Sequence, residues 1–231
     1  MSSLIIGQDV RLPARQTFSQ GEVDACFSCA IATALEGRSL DVPELAAAFH
    51  LYHAYGGSPA AGGLTLTDAQ SAQTRYGICR KSLYSYDVGD GTPSEAPNDD
   101  AESDARRRRT LSDAEGEWTF RRLAGLHRPR EWQTALSQGL PVLIRIWLNP
   151  GYWAMRTQTQ EAVWSDTSNP GNQNHAVVVL GYQSAQKRFI VQDSRGTAFA
   201  NQGQWFLTET QATLGPITDA YVLSVPIGSL L

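Results

Sequence analysis

Cysteine is scarce in this chain of 231 residues: there are three, an odd number and too few for a disulfide framework. That suits synthesis in a reducing cytoplasm. Long apolar runs are also missing, and no stretch approaches the roughly 20 residues of a membrane span. Residues 1–9 lack a basic segment followed by an apolar one, so no signal peptide is expected. There is no excess of positive charge. Nineteen Lys and Arg stand against 23 Asp and Glu, a net charge of -4, which removes the global electrostatic case for a nucleic-acid partner. No internal repeat is visible.

What is present is ordinary globular composition, 42% hydrophobic and 18% charged, long enough for one large domain or two packed subdomains. Residues 174–196 organise the rest. Two β-branched runs flank a short polar connection, which predicts a hairpin. A turn centred on Ser184 puts His175 directly opposite Asp193. Cross-strand partners have Cβ atoms roughly 4.5–5.5 Å apart, so the carboxylate can orient the imidazole and fix its tautomer.

Upstream, residues 4–19 read as an extended arm. Residues 27–36 form a strong helix with Phe27, Ile31, Ala34 and Leu35 on one face, Asp24 as N-cap and Gly37 as stop. A second helix is predicted over 41–52, capped by Asp41, and a third over 67–76. Residues 87–117 are rich in Gly, Pro, Ser, Asp and Glu and carry the arginine run 106–109, which predicts a mobile surface insertion. Beyond Trp118 the chain turns strand-rich, with a short helix over 130–138 and strands over 141–148, 204–208 and 220–225. The expected division is a helical part over 1–117 and a β-rich part over 118–231.

The chemistry falls in both parts. Cys26 in the first turn of its helix lies where the helix dipole favours a thiolate. His175 can serve it as a base, with Asp193 as orienter. Gln20, six residues before Cys26, can donate a side-chain amide to an oxyanion, and the Cys26 backbone N–H can donate a second bond.

These residues carry a resemblance. Gln20-Gly-Glu-Val-Asp-Ala-Cys26-Phe resembles the active-site segment of the papain-like cysteine peptidases, whose bacterial members commonly read Gln-Gly-x-x-Gly-Ser-Cys. Asn174-His175-Ala-Val resembles the family's His segment, and Gln192-Asp193-Ser194-Arg195-Gly196 its Asn-Ser-Trp-Gly segment. Gln202-Gly203-Gln204-Trp205 is similar to the Gly-aromatic turn that follows. The matches run in the right order over most of residues 15–225. The resemblance implies an α+β fold of two subdomains, with the active site in the cleft between them. It implies Cys26 as nucleophile, His175 as general base and acid, Asp193 as third member and Gln20 as oxyanion donor. It suggests Gly62 and Gly63 as backbone contacts to a bound peptide, with Asp24 and Asn174 beside them. Three departures stand out: Asp193 replaces the usual Asn, Asp24 replaces a glycine, and Arg195 replaces a shielding Trp. No pro-segment is expected before residue 20.

Other readings stay open. Cys29 matches the nucleophile if Cys26-Phe-Ser-Cys29 is aligned on Cys-Gly-Ser-Cys, but no Gln then stands six residues before it. Cys29 and Cys79 otherwise read as core thiols, and His50 and His53 as ordinary helix residues. A thioredoxin-like pair lacks a convincing preceding strand, and a zinc site from Cys26, Cys29, His50 and His53 lacks a second ligand pair at known spacing. No cofactor or metal is therefore predicted. The leading expectation is a thiol hydrolase acting on peptide bonds of a peptide or protein. The same fold also serves amidases, deamidases and acyltransferases, or a degenerate binding module. The enzyme would stay in the cytoplasm or be exported as a toxin by a signal-independent route, in which case an inhibitor or immunity protein becomes a partner.

Overall fold

The computed structural model describes residues 8–13, 16–57, 63–109, 120–123, 128–164 and 171–223. Seven helices and eight strands are assigned among them. The helices are α1 (Cys26–Glu36), α2 (Ala47–Ala54), α3 (Leu66–Arg75), α4 (Asp99–Arg106), α5 (Arg128–Ser137), α6 (Pro150–Ala154) and α7 (Glu209–Leu214). The strands are β1 (Val10–Arg11), β2 (Phe120–Arg122), β3 (Val142–Trp147), β4 (Val163–Trp164), β5 (Asn174–Gln183), β6 (Arg188–Gln192), β7 (Gln204–Thr208) and β8 (Ile217–Leu223). The sheet runs β2-β8-β3-β5-β6-β7-β4, with β1 added to β5. Every pairing is antiparallel except that of β4 with β7. This is an α+β architecture. No helix among the described residues is long and apolar enough to cross a membrane.

Period-2 alternation gives the central strands two buried faces. Leu143, Ala176, Val178 and Leu180 join a core with α1, α2 and α3. Val142, Ile144, Ile146, Val177 and Val179 join a second core on the other face, with Trp132, Trp164, Trp205 and Tyr152. Helix α1 packs along β5 and is buried on every side: of its eleven residues, only Cys26 keeps appreciable exposure. Phe27, Ile31 and Leu35 are at most 2% exposed. Each contributes about 1.5–3 kcal/mol of transfer free energy.

Several sequence expectations need correction. No side chain caps α1; its N-cap is Ala25, and Asp24 is exposed. Helix α2 starts at Ala47, after uncapped Ala46 rather than Asp41. Residues 44–46 are held extended instead: the Glu44 carbonyl accepts from Lys81 N–H at 2.8 Å, and the Leu45 N–H donates to Glu36 Oε1 at 2.7 Å.

The larger correction concerns the segment expected to be mobile. Residues 99–106 are a helix, capped by the Asn98 side chain on the Ala101 N–H. Ala101 and Ala105 are fully buried. Asp104 pairs with Arg108 at 2.6 Å and Arg80 at 3.1 Å, and Gln73 Nε2 donates to the Arg108 carbonyl. The arginine run is thus partly anchored rather than a free charge block. Residues 110–117 of that segment lie outside the described residues. The expected boundary at 117/118 is also crossed by the sheet, since β1 near the N-terminus pairs with Gly181 and Tyr182 of β5.

Candidate active site

Backbone pairing brings the two halves of the site together. The Gln20 N–H donates to the Ser194 carbonyl at 2.9 Å, and the Gly196 N–H donates to the Phe18 carbonyl at 2.8 Å. Gly196 sits at φ +81, and a Cβ there would fall 3.0 Å from Ser19 Oγ, so the close approach needs glycine. The segment carrying Gln20 is thereby held against the residues that follow Asp193. Six residues after Gln20, Cys26 opens α1.

His175 stands near the start of β5, 1% exposed. Its Nε2 donates to Asp193 Oδ1 at 2.8 Å. The second carboxylate oxygen of Asp193 accepts from Tyr152 Oη and from Trp205 Nε1, each at 2.9 Å. The remaining ring nitrogen of His175 is left for Cys26, with which the ring also hydrogen-bonds. A single line of contact therefore runs Cys26–His175–Asp193, with Tyr152 and Trp205 clamping its far end.

Burial by itself disfavours charge on both His175 and Asp193. For His175, the Asp193 charge and hydrogen bond, joined by Cys26, overcome that penalty and lift the imidazole to about 9. For Asp193, burial is likewise outweighed by His175, Trp205 and Tyr152, which hold the carboxyl below its ordinary value. The ring is thus an imidazolium facing a carboxylate at neutral pH.

The His175–Asp193 contact matches the sequence expectation, but the register behind it does not. The turn is not centred on Ser184. Gln183 pairs with Arg188, and Val178 with Gln192, with a bulge between Val179 and Gly181. Lys187 closes the turn at φ 50. His175 has Ile146 of β3 as its backbone partner, and Asp193 lies just past the end of β6. The two meet on the diagonal, a distance that an imidazole and a carboxylate can span.

Gln20 is buried, with its carbonyl oxygen accepting from Ser194 Oγ at 2.5 Å and its Nε2 donating to the Val23 carbonyl at 2.9 Å. The amide is thereby oriented, and the second Nε2 hydrogen is left over. No side chain caps the first amides of α1, the turn that opens with Cys26. Gln20, Asp24, Cys26, Gly63 and Asn174 all line one cleft of about 660 Å³. Gly63 lies against Asp24, whose Oδ2 is 3.0 Å from where a Cβ would sit. Gly62 lies outside the described residues.

Cys29, one turn into α1, is fully buried, and burial followed by the charges of Cys26, Asp87 and Asp193 pushes its thiol well above the usual value. Cys79 is likewise buried and pushed up to about 12, chiefly by burial. Arg195 stands where the resemblance expects a tryptophan. Aromatic cover comes instead from α6: the Tyr152 ring lies 5.9 Å from His175, and Trp153 lies under the Arg195 guanidinium at 5.0 Å. Sequence reasoning passed over Tyr152. Its signal was Asn149-Pro150-Gly-Tyr-Trp directly after a buried strand, a capped helix start with Pro at N1.

Comparison with known proteins bears on the family and the fold. The sequence matches the Peptidase_C39 like family over residues 19–213. Similar solved structures include xylellain, a cysteine protease from Xylella fastidiosa, with TM-score 0.76 at 18% identity, covering 94% of this chain and 86% of that one. A digestive procathepsin L 3 from Tenebrio molitor larval midgut gives TM-score 0.70 at 19% identity, covering 95% and 70%. The Carica candamarcensis cysteine protease CMS1MS2, in complex with E-64, gives 0.61 at 17%, covering 92% and 94%. No curated protein sequence matches significantly. The chain belongs to the Peptidase_C39 like family and is a cysteine peptidase of papain-like fold.

Proposed function

We propose that the chain hydrolyses peptide bonds of a peptide or protein through a thioester on Cys26. The observation that carries this reading is the Cys26–His175–Asp193 line, with the imidazole lifted to about 9, at the wall of an open cleft. With the proton on His175, Cys26 attacks the carbonyl carbon as thiolate. The oxyanion is met by the spare Nε2 hydrogen of Gln20 and the Cys26 N–H. His175 gives its proton to the leaving nitrogen, the C–N bond breaks, and the acyl group stays on sulfur. Water then attacks the thioester and passes a proton to His175. The acid departs, and the thiolate–imidazolium pair is restored. Asp193 keeps the ring in place and stabilises its positive charge in both steps. Gly63 serves as a backbone contact to the acyl-side chain.

The test is incubation of a proteome with the pure protein, followed by mapping of new N-termini, with Cys26→Ala as control. Defined cleavage sites that vanish in Cys26→Ala are expected. Acylated Cys26 without new N-termini would instead favour acyl transfer to another nucleophile, which the same thioester permits.

A further inference from the structure

The cleft is lined by side chains of both charges. Glu22, Asp24, Arg156 and Arg195 all line it; Asp24 lies against Gly63, and Arg195 lies over Trp153. None of these four forms an ion pair with another described residue. Arg195 is the more constrained of the two cations. Its guanidinium lies over Trp153 and hydrogen-bonds Tyr152, while its buried Nε has no hydrogen-bond partner among the described residues. A half-buried guanidinium with spare donors, held over an indole, is pre-organised for a carboxylate.

The chemistry decides which part of a substrate meets Arg195. His175 must reach the departing nitrogen to protonate it, so the leaving half of the substrate lies on the His175 side. Tyr152 packs on His175, and Trp153 and Arg195 adjoin Tyr152. We propose that Arg195, with Arg156 beside it, forms a carboxylate-binding subsite on the leaving-group side of the cleft. The carboxylate is either an Asp or Glu side chain just after the scissile bond or the substrate's own C-terminus. The subsite rests on the peptide-hydrolysis reading above.

The experiment uses quenched fluorescent peptides built on a sequence the protein cuts. One pair carries Glu or Gln at the first and second positions after the cut. Another pair ends two residues after the cut in a free or an amidated carboxyl. The carboxylate member of at least one pair should be turned over about tenfold faster in kcat/KM, mainly through KM, the size of one half-buried charge-assisted hydrogen bond. Which pair responds identifies the source. The ratio should shrink towards one in Arg195→Gln and in Arg156→Gln, and at about 0.5 M salt. Arg156 is exposed, so its variant keeps the test valid if Arg195→Gln disturbs Tyr152. Ratios of one in both pairs for the unaltered protein would overturn the subsite. So would a preference that survives both substitutions. So would an Arg195→Gln that moves the pH profile equally for all peptides while leaving their ratio intact, since Arg195 would then act only through Tyr152. If no peptide is cut and E-64 fails to label Cys26, the hydrolysis reading itself falls and takes the subsite with it.

Discussion

Two histidines in this molecule are almost equally buried and titrate in opposite directions. His175 is 1% exposed and is lifted to about 9. His50, in α2 on the other side of the sheet, is fully buried and pushed down to about 4, chiefly by that burial. Its Nε2 donates to the Ala69 carbonyl at 3.1 Å, and its Nδ1 accepts from Ser28 Oγ at 2.9 Å. Both partners are neutral, and the Ala69 carbonyl alone does not offset the cost of a buried cation. His175 differs by one ionised partner, Asp193. Burial removes water from both rings; the carboxylate decides which one is charged. One fold thus holds a neutral structural histidine and, across the sheet, an imidazolium beside Cys26.

The strongest way to break this contrast is to remove Asp193. Asp193→Ala should turn His175 towards the His50 condition and lower kcat by about 10²–10⁴-fold. Asp193→Asn should be milder, about tenfold, because an amide still holds the ring. The sign of the pH effect follows from the charge. Activity needs His175 protonated, so the alkaline limb of the pH–rate profile lies near the value of about 9. Asparagine supplies no charge to hold the proton, so the limb should move to lower pH. An unchanged limb with unchanged kcat would mean that Asp193 does not act on His175.

Tyr152→Phe tests the clamp rather than the charge. It removes one of two donors on Asp193 Oδ2 and leaves Trp205 in place. A fall in kcat of about three- to tenfold is expected, from about 1 kcal/mol of lost hydrogen bonding. The alkaline limb should not move down, because the carboxylate keeps its charge. A downward shift as large as that of Asp193→Asn would refute this division of roles.

His50→Ala sharpens the contrast from the other side. Deleting a packed, doubly hydrogen-bonded ring should cost about 2–4 kcal/mol of stability, read from denaturant unfolding. Activity per folded molecule should stay within about twofold, and the alkaline limb should stay put. A shifted limb would show that His50 couples to the site.

The sequence exposed the site more fully than the fold around it. Cys26, Gln20, His175 and Asp193 stand in short local patterns, and the structure does gather them. The register of the hairpin escaped because the turn lies further along than Ser184, with Gln183 opposite Arg188, and the bulge between Val179 and Gly181 then moves the pairing by one residue. Gly181, alone inside the apolar run, was the sign of that bulge. Tyr152 escaped because its partner, Asp193, is 41 residues away. Helix α4 was misread by weighing composition over position. Asn98 as cap, Asp99, Asp100 and Glu102 in the first turn, Arg106 in the last, and Ala101 and Ala105 one turn apart are helix signals within a polar stretch.

The most direct measurement is the pH-dependent rate of labelling by E-64, with the labelled residue mapped by mass spectrometry. Cys26 and Cys29 sit one turn apart on α1, one half-exposed to the cleft and one fully buried. The account predicts a single label on Cys26, lost in Cys26→Ala, retained in Cys29→Ala, and declining as pH rises through about 9. A label confined to Cys29, or a Cys26 rate that is flat through that range, would contradict it.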